Sequence, residues 1–110
     1  MLYLPQTLRL FGQRWLIRAA RPNELTACWG ECRPDQLEVV IQANQNEEMQ
    51  MHTYLHEIIH CIEQKLELEL TERQTDLIAL GLIDLIKNNE DFLEQFGPVH
   101  RQPQGDTDGQ

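Results

Sequence analysis

The chain reads as an α+β domain, a small antiparallel sheet packed on an antiparallel pair of helices. Two observations predict it. Up to about residue 43 the apolar residues come in short, β-branched or alternating runs; beyond that they recur with the helical period. Two capping signals, near Asn46 and at Thr71, then open two long periodic segments. With 110 residues the chain has room for one modest core. A single domain is expected over 1–97, followed by a tail over 98–110.

Arg14–Ala20 (RWLIRAA) alternates in part, and Arg21-Pro22-Asn23 closes it as a turn. Thr26–Arg33 and Leu37–Gln42 flank the turn tripeptide Pro34-Asp35-Gln36, which predicts a β-hairpin. Val39, Val40 and Ile41 give the strongest strand signal in the chain.

Helix one is expected over 46–66. Asn44 and Asn46 are both N-cap candidates, and Asn44 has capping-box-like spacing to Glu47. Glu47 and Glu48 suit the positive end of the helix dipole. Met51, Leu55, Ile58, Ile59, Ile62 and Leu66 mark the expected buried face. Helix two starts from Thr71, whose partner three residues on is Gln74. From Leu77 to Ile86 it is apolar nearly all round, which predicts burial on more than one side. Asn88-Asn89 ends it, and a short third helix over 90–96 would stop at Gly97-Pro98. The final stretch has no apolar anchor and reads as disordered.

Eighteen acidic residues against nine basic ones give a net charge of −9. That charge opposes nucleic-acid binding, which needs clustered Lys and Arg, and favours a divalent cation. No apolar run is long enough to span a bilayer, so no membrane partner is expected. The start MLYLPQTLRLFGQRW lacks a basic region followed by an apolar one, which points to the cytoplasm. Three cysteines (Cys28, Cys32, Cys61) are too few and odd in number for a disulfide framework, which agrees with that location.

The motif that carries chemistry is His56-Glu57-Ile58-Ile59-His60, an HExxH pattern on helix one. Histidines four apart share a helix face and can bind one zinc ion. Glu57 then lies beside the open coordination position, where it can act as general base toward zinc-activated water. The third ligand must come from elsewhere, and helix two offers Asp76 and Glu72. If the chain turns tightly near 67–70, residue 58 lies opposite residue 79, which brings Asp76 within roughly 4–5 Å of that level and leaves Glu72 roughly 10 Å away. Glu72 stays open as the alternative. Its place in the first helical turn is otherwise explained by the dipole.

LHEIIH, preceded by strands and followed by a second helix, resembles the zincin metallopeptidases. It is most similar to small HEIIH-type proteins of phages and prophages described as SprT-like neutral zinc metallopeptidases. The resemblance covers roughly residues 26–88 and rests on one sharp motif. It implies a sheet lying over the motif helix, with an edge strand able to bind an extended peptide. There is no third histidine at metzincin spacing, no glycine after the motif and no EAxxFA stretch. Among zincins, thermolysin-like enzymes take their third ligand from a Glu-x-x-x-Asp pair whose Asp supports a histidine, and Glu72-Arg73-Gln74-Thr75-Asp76 has that pattern.

Other residues have plainer readings. His52 lies one turn before His56, but 52 and 60 are about 12 Å apart along the axis, so the three histidines cannot share one ion. Tyr54, Cys61 and the strand thiols Cys28 and Cys32 read as structural, and Trp15 and Trp29 as filling the sheet–helix interface. Gly81 would let the helices approach closely. The expected function is therefore peptide-bond hydrolysis by a zinc-dependent enzyme acting on a protein or peptide substrate. The rivals are a metal-binding interaction module without turnover, and a structural protein whose histidines are merely solvated.

Overall fold

A computed structural model describes residues 1–96 of the chain. The tail expected over 98–110 and the Gly97-Pro98 stop lie outside the described residues. The elements are strands β1 (Thr7–Leu10), β2 (Gln13–Ala19), β3 (Gly30–Arg33) and β4 (Glu38–Ile41), then helices α1 (Glu47–Lys65) and α2 (Glu72–Lys87). Short 3-10 turns occur at Pro34–Gln36 and Leu93–Gln95. The α+β class is as expected. Two units divide the chain, Met1–Leu80 and Gly81–Gln110, with α2 crossing the boundary.

In the first unit the sheet order is β1-β2-β4-β3. It is mixed, not antiparallel: β2 and β4 pair in parallel, from Leu16↔Glu38 to Ala19↔Ile41. The cause is the Val39-Val40-Ile41 run. Such a continuous apolar segment belongs inside a sheet, with both faces covered, and all three residues are fully buried. β4 therefore inserts between β2 and β3, and β3 becomes an edge.

β1 was not expected from the sequence. Phe11 and Gly12, with φ of 52° and 78°, join it to β2 by a two-residue turn. Positive φ at both central residues matches the right-handed twist of a hairpin. The hairpin over Pro34–Gln36 forms as expected, but its first strand covers only Gly30–Arg33 of the expected 26–33.

One sheet face carries Trp15, Ile17, Val39 and Ile41, which join Leu4, Tyr54 and Cys61 in the core. On the other face Val40 lies between Arg18 and Glu31 in the register. There Arg18 binds Glu24 (2.6 Å) and Glu38 (2.8 Å), and Arg33 binds Glu24 (2.8 Å).

α1 packs on β3 and β4 through a face the apolar pattern predicts only in part. Ile59 of the expected face is buried and Ile58 packs against the core, whereas Met51 and Leu66 are 40% and 53% exposed; Gln50, Tyr54, Glu57 and Cys61 are buried in their place. Those four recur at one helical spacing. Polar partners turn the helix this way. Gln50 Oε1 accepts the Tyr3 N–H, and its amide group donates to Met1 O and Gln45 O. Cys61 is disulfide-bonded to Cys32 of β3, so the reading of these two as separate structural thiols is corrected.

Other expectations change with it. Trp15 is buried as expected, but Trp29 is 52% exposed, and Cys28 is an exposed free thiol. On α2 only Thr75 and Ala79 are buried, and Leu77, Ile78 and Leu80 are 43–50% exposed, so the helix is not covered on several sides. A Cβ at Gly81 would meet nothing within 4 Å, which removes any close approach there. In the second unit the described residues past α2 form the 3-10 turn Leu93–Gln95 rather than a helix over 90–96.

Candidate metal centre

Both helices that build the site begin where their capping residues dictate. Asn46 Oδ1 accepts the Met49 N–H at 2.8 Å, so Asn46, not Asn44, starts α1. Thr71 and Gln74 close a reciprocal capping box at α2: Gln74 N–H donates to Thr71 Oγ1 (3.1 Å) and Thr71 N–H to Gln74 Oε1 (2.9 Å).

The link between them decides which carboxylate meets the histidines. α1 ends in a Schellman arrangement: Glu67 has φ 56°, Leu68 N–H donates to Glu63 O (2.8 Å) and Glu67 N–H to Gln64 O (3.3 Å). Residues 68–71 then have no helical structure. An extended residue advances about 3.3 Å, against about 1.5 Å in a helix. The short link therefore carries the chain back along α1 much further than a tight turn would.

As a result Glu72, not residue 79, stands at the level of Ile58. Glu72 Oε1 is 3.1 Å from His56 Nε2, and its Oε2 is 3.1 Å from His60 Nε2. The two Nε2 atoms are themselves 3.1 Å apart. Asp76 sits one turn further on, with Oδ1 3.1 Å from His52 Nε2 and 3.6 Å from His56 Nδ1. Asp76 thus faces the opposite nitrogen of His56 from Glu72. The height argument that ranked Asp76 above Glu72 is corrected by the extended link.

A residue that sequence reasoning passed over completes the set. Glu63 Oε1 is 3.1 Å from His60 Nδ1, and Glu63 Oε2 accepts the Leu70 N–H at 2.8 Å. Its i, i+3 spacing from His60 on one helix was the available signal. The Leu70 N–H and His60 hold the Glu63 carboxyl below the usual range.

Glu57 projects from α1 toward the sheet and is 7% exposed. Burial pushes its carboxyl pKa up, against the neighbouring His60 and His56 and a hydrogen bond from the Cys32 N–H, which pull it down. β3 comes this close because of Gly30. A Cβ there would lie 2.6 Å from Thr53 Cγ2 and 3.1 Å from Glu57 Cγ. Ligand-type atoms of His56, Glu57 and His60 lie within 4.8 Å of one another and can hold a metal ion. The cleft over them is about 710 Å³, with the β3 edge from Trp29 to Cys32 on one side and α1 and the start of α2 on the other.

The donor chemistry fits a cation. A carboxylate only accepts hydrogen bonds, so Glu63 selects the His60 tautomer with the proton on Nδ1. The unprotonated Nε2 of that tautomer then faces Glu72 Oε2, acceptor against acceptor, at 3.1 Å. A proton or a shared cation between them removes the conflict. Two ligands of one tetrahedral zinc, each about 2.0–2.1 Å from it, are separated by roughly 3.3–3.4 Å. The observed spacings of 3.1 Å are close to that.

No family model, no curated protein and no solved structure matches the chain.

Proposed function

We propose that the protein is a zinc-dependent metallopeptidase of the zincin kind, with His56, His60 and Glu72 as metal ligands and Glu57 as general base. The observation that carries this reading is the triangle of His56 Nε2, His60 Nε2 and the Glu72 carboxylate, each about 3.1 Å from the next. Asp76 and Glu63 take outer roles, each on the Nδ1 side of one histidine. A bound zinc ion would supply Lewis acidity and lower the pKa of water.

The chain's own residues supply the rest. Glu57, shielded from solvent and beside both histidines, takes a proton and returns it to the leaving amine. Its burial supports that role, since desolvation raises the carboxyl pKa and makes it a stronger proton acceptor than a solvated glutamate. The exposed edge of β3 borders the same cleft, where an extended peptide could add as a further strand. Protein or peptide is accordingly the proposed substrate class.

A second reading is a metal-binding interaction module without turnover. It is favoured by the absence of Lys and Arg from the cleft lining among the described residues and by the pairing of His52 with Asp76. Either feature leaves few groups to stabilise developing negative charge.

One experiment separates the two. Parent and Glu57→Gln proteins are assayed for zinc by elemental analysis and for cleavage of an unfolded protein, with and without chelator. The peptidase reading expects about one zinc in each and cleavage only by the untreated parent. Equal cleavage by both would remove Glu57 as the base. Zinc in both and cleavage in neither would favour the module.

A further inference from the structure

Resting on the metal reading above, we propose that Glu63 is a positioning residue that sets two of the three metal ligands at once, the ring of His60 and the height of Glu72. Its side chain is only 14% exposed, unlike that of a solvated surface glutamate. Three of its atoms are engaged. Oε1 meets His60 Nδ1 at 3.1 Å, Oε2 accepts the Leu70 N–H at 2.8 Å, and the backbone carbonyl accepts the Leu68 N–H at 2.8 Å.

The first contact fixes chemistry. With Nδ1 donating to Glu63, the His60 lone pair is on Nε2 and points at Glu72 and His56. His56 has no equal support, because Asp76 is 3.6 Å from its Nδ1. The second and third contacts fix geometry. They tie down Leu68 and Leu70, and Glu72 follows two residues after Leu70. An extended link would otherwise move α2 by about 3.3 Å for each residue of slippage. One carboxylate thereby joins the orientation of a ligand on α1 to the placement of a ligand on α2.

The test uses the full chain and its Glu63→Ala and Glu63→Gln variants. Imidazole ¹⁵N NMR of the metal-free proteins at pH 8 reads the His60 tautomer, and competition with a chromophoric chelator reads zinc affinity. The parent is expected to hold His60 with its proton on Nδ1. Glu63→Ala should release that preference and weaken zinc binding about 10- to 100-fold. The Gln amide oxygen can accept from His60 or from Leu70 but not serve both as the carboxylate does. Glu63→Gln should therefore lose less affinity, with either the tautomer or the Leu70 amide protection from hydrogen exchange impaired. Should Glu63→Ala not fold, the Gln variant decides alone. Unchanged tautomer or unchanged zinc affinity in a folded Glu63→Ala variant, or an unchanged tautomer together with unchanged Leu70 protection in Glu63→Gln, overturns the proposal. A parent that binds no zinc defeats the metal reading beneath it, an outcome distinct from a zinc-binding parent indifferent to Glu63.

Discussion

The Nε2 atoms of His56 and His60 stand 3.1 Å apart on successive turns of α1, and the carboxylate of Glu72 reaches both at the same distance. About one equivalent of zinc per chain is expected to copurify, and the double change His56→Ala, His60→Ala should abolish it. Glu72→Ala should weaken zinc more than Asp76→Ala, whose outer position predicts a loss of about tenfold. Chelator competition on the two variants checks the ranking. The reverse order would make Asp76 the ligand.

Gly30 is where β3 touches α1 most closely. Gly30→Ala should lower stability by about 1–3 kcal/mol, the usual cost of an overpacked contact, because its Cβ meets Thr53 Cγ2 at 2.6 Å. Thr53→Ser removes that methyl and keeps the hydroxyl bonded to Gln45 Oε1. In the Gly30→Ala background it should recover part of the loss in chemical denaturation. No recovery would place the strain elsewhere, at Glu57 or Ile41.

The Cys32–Cys61 disulfide closes a loop with a sequence separation of 29. A cross-link of that span is worth about 3–4 kcal/mol by loop-closure entropy. Reductant should therefore lower the melting temperature clearly. Thiol titration of the unreduced, denatured protein should find one free cysteine, Cys28. Three titratable thiols would mean that the pair is reduced in the protein as purified.

The lattice of Arg18, Arg33, Glu24 and Glu38 sets the acid behaviour. Arg18 holds the Glu24 carboxyl well below its ordinary value of 4.5 and also lowers that of Glu38. A lowered folded-state pKa contributes stability above the unfolded value, and that stability is lost as pH falls through the folded one. Melting temperature should therefore decline below about pH 4.5. Arg18→Met should cost more at pH 7 than at pH 3, where the carboxyls of the unfolded chain are already protonated and part of the contribution is gone. An equal loss at both pH values would show that the lattice contributes only packing.

The chain announces its local features and conceals its long-range ones. Asn46, and Thr71 with Gln74, mark helix starts because capping is a contact across three residues. Pro34-Asp35-Gln36 and Val39–Ile41 likewise act within a few residues of themselves. The buried face of α1 was legible only in part, at Ile58 and Ile59, since the rest is decided by Gln50 reaching Met1 and Tyr3 and by Cys61 reaching Cys32. Apolar spacing cannot register a glutamine or a glutamate that the sheet takes in. The level of Glu72 was missed for a metric reason: helical rise was applied to a link that is extended. The order of β2 and β4 was hidden because a parallel pairing depends on strands far apart in the chain.

That parallel pairing has a consequence for how the protein acquires its shape. β1–β2 and β3–β4 are hairpins whose ends meet across short turns, so each can close early with little entropy lost. The ladder of Leu16–Ala19 with Glu38–Ile41 joins them and must wait until both are present. α1 docks on β3 and β4, and only then do Glu57 and the Cys32 N–H come together. The meeting of the two hairpins is therefore the expected slow step of folding, because long-range pairings carry the larger loop-closure cost. On that order the cleft over His56, Glu57 and His60 would be completed last, so a cation would meet either no site or a finished one.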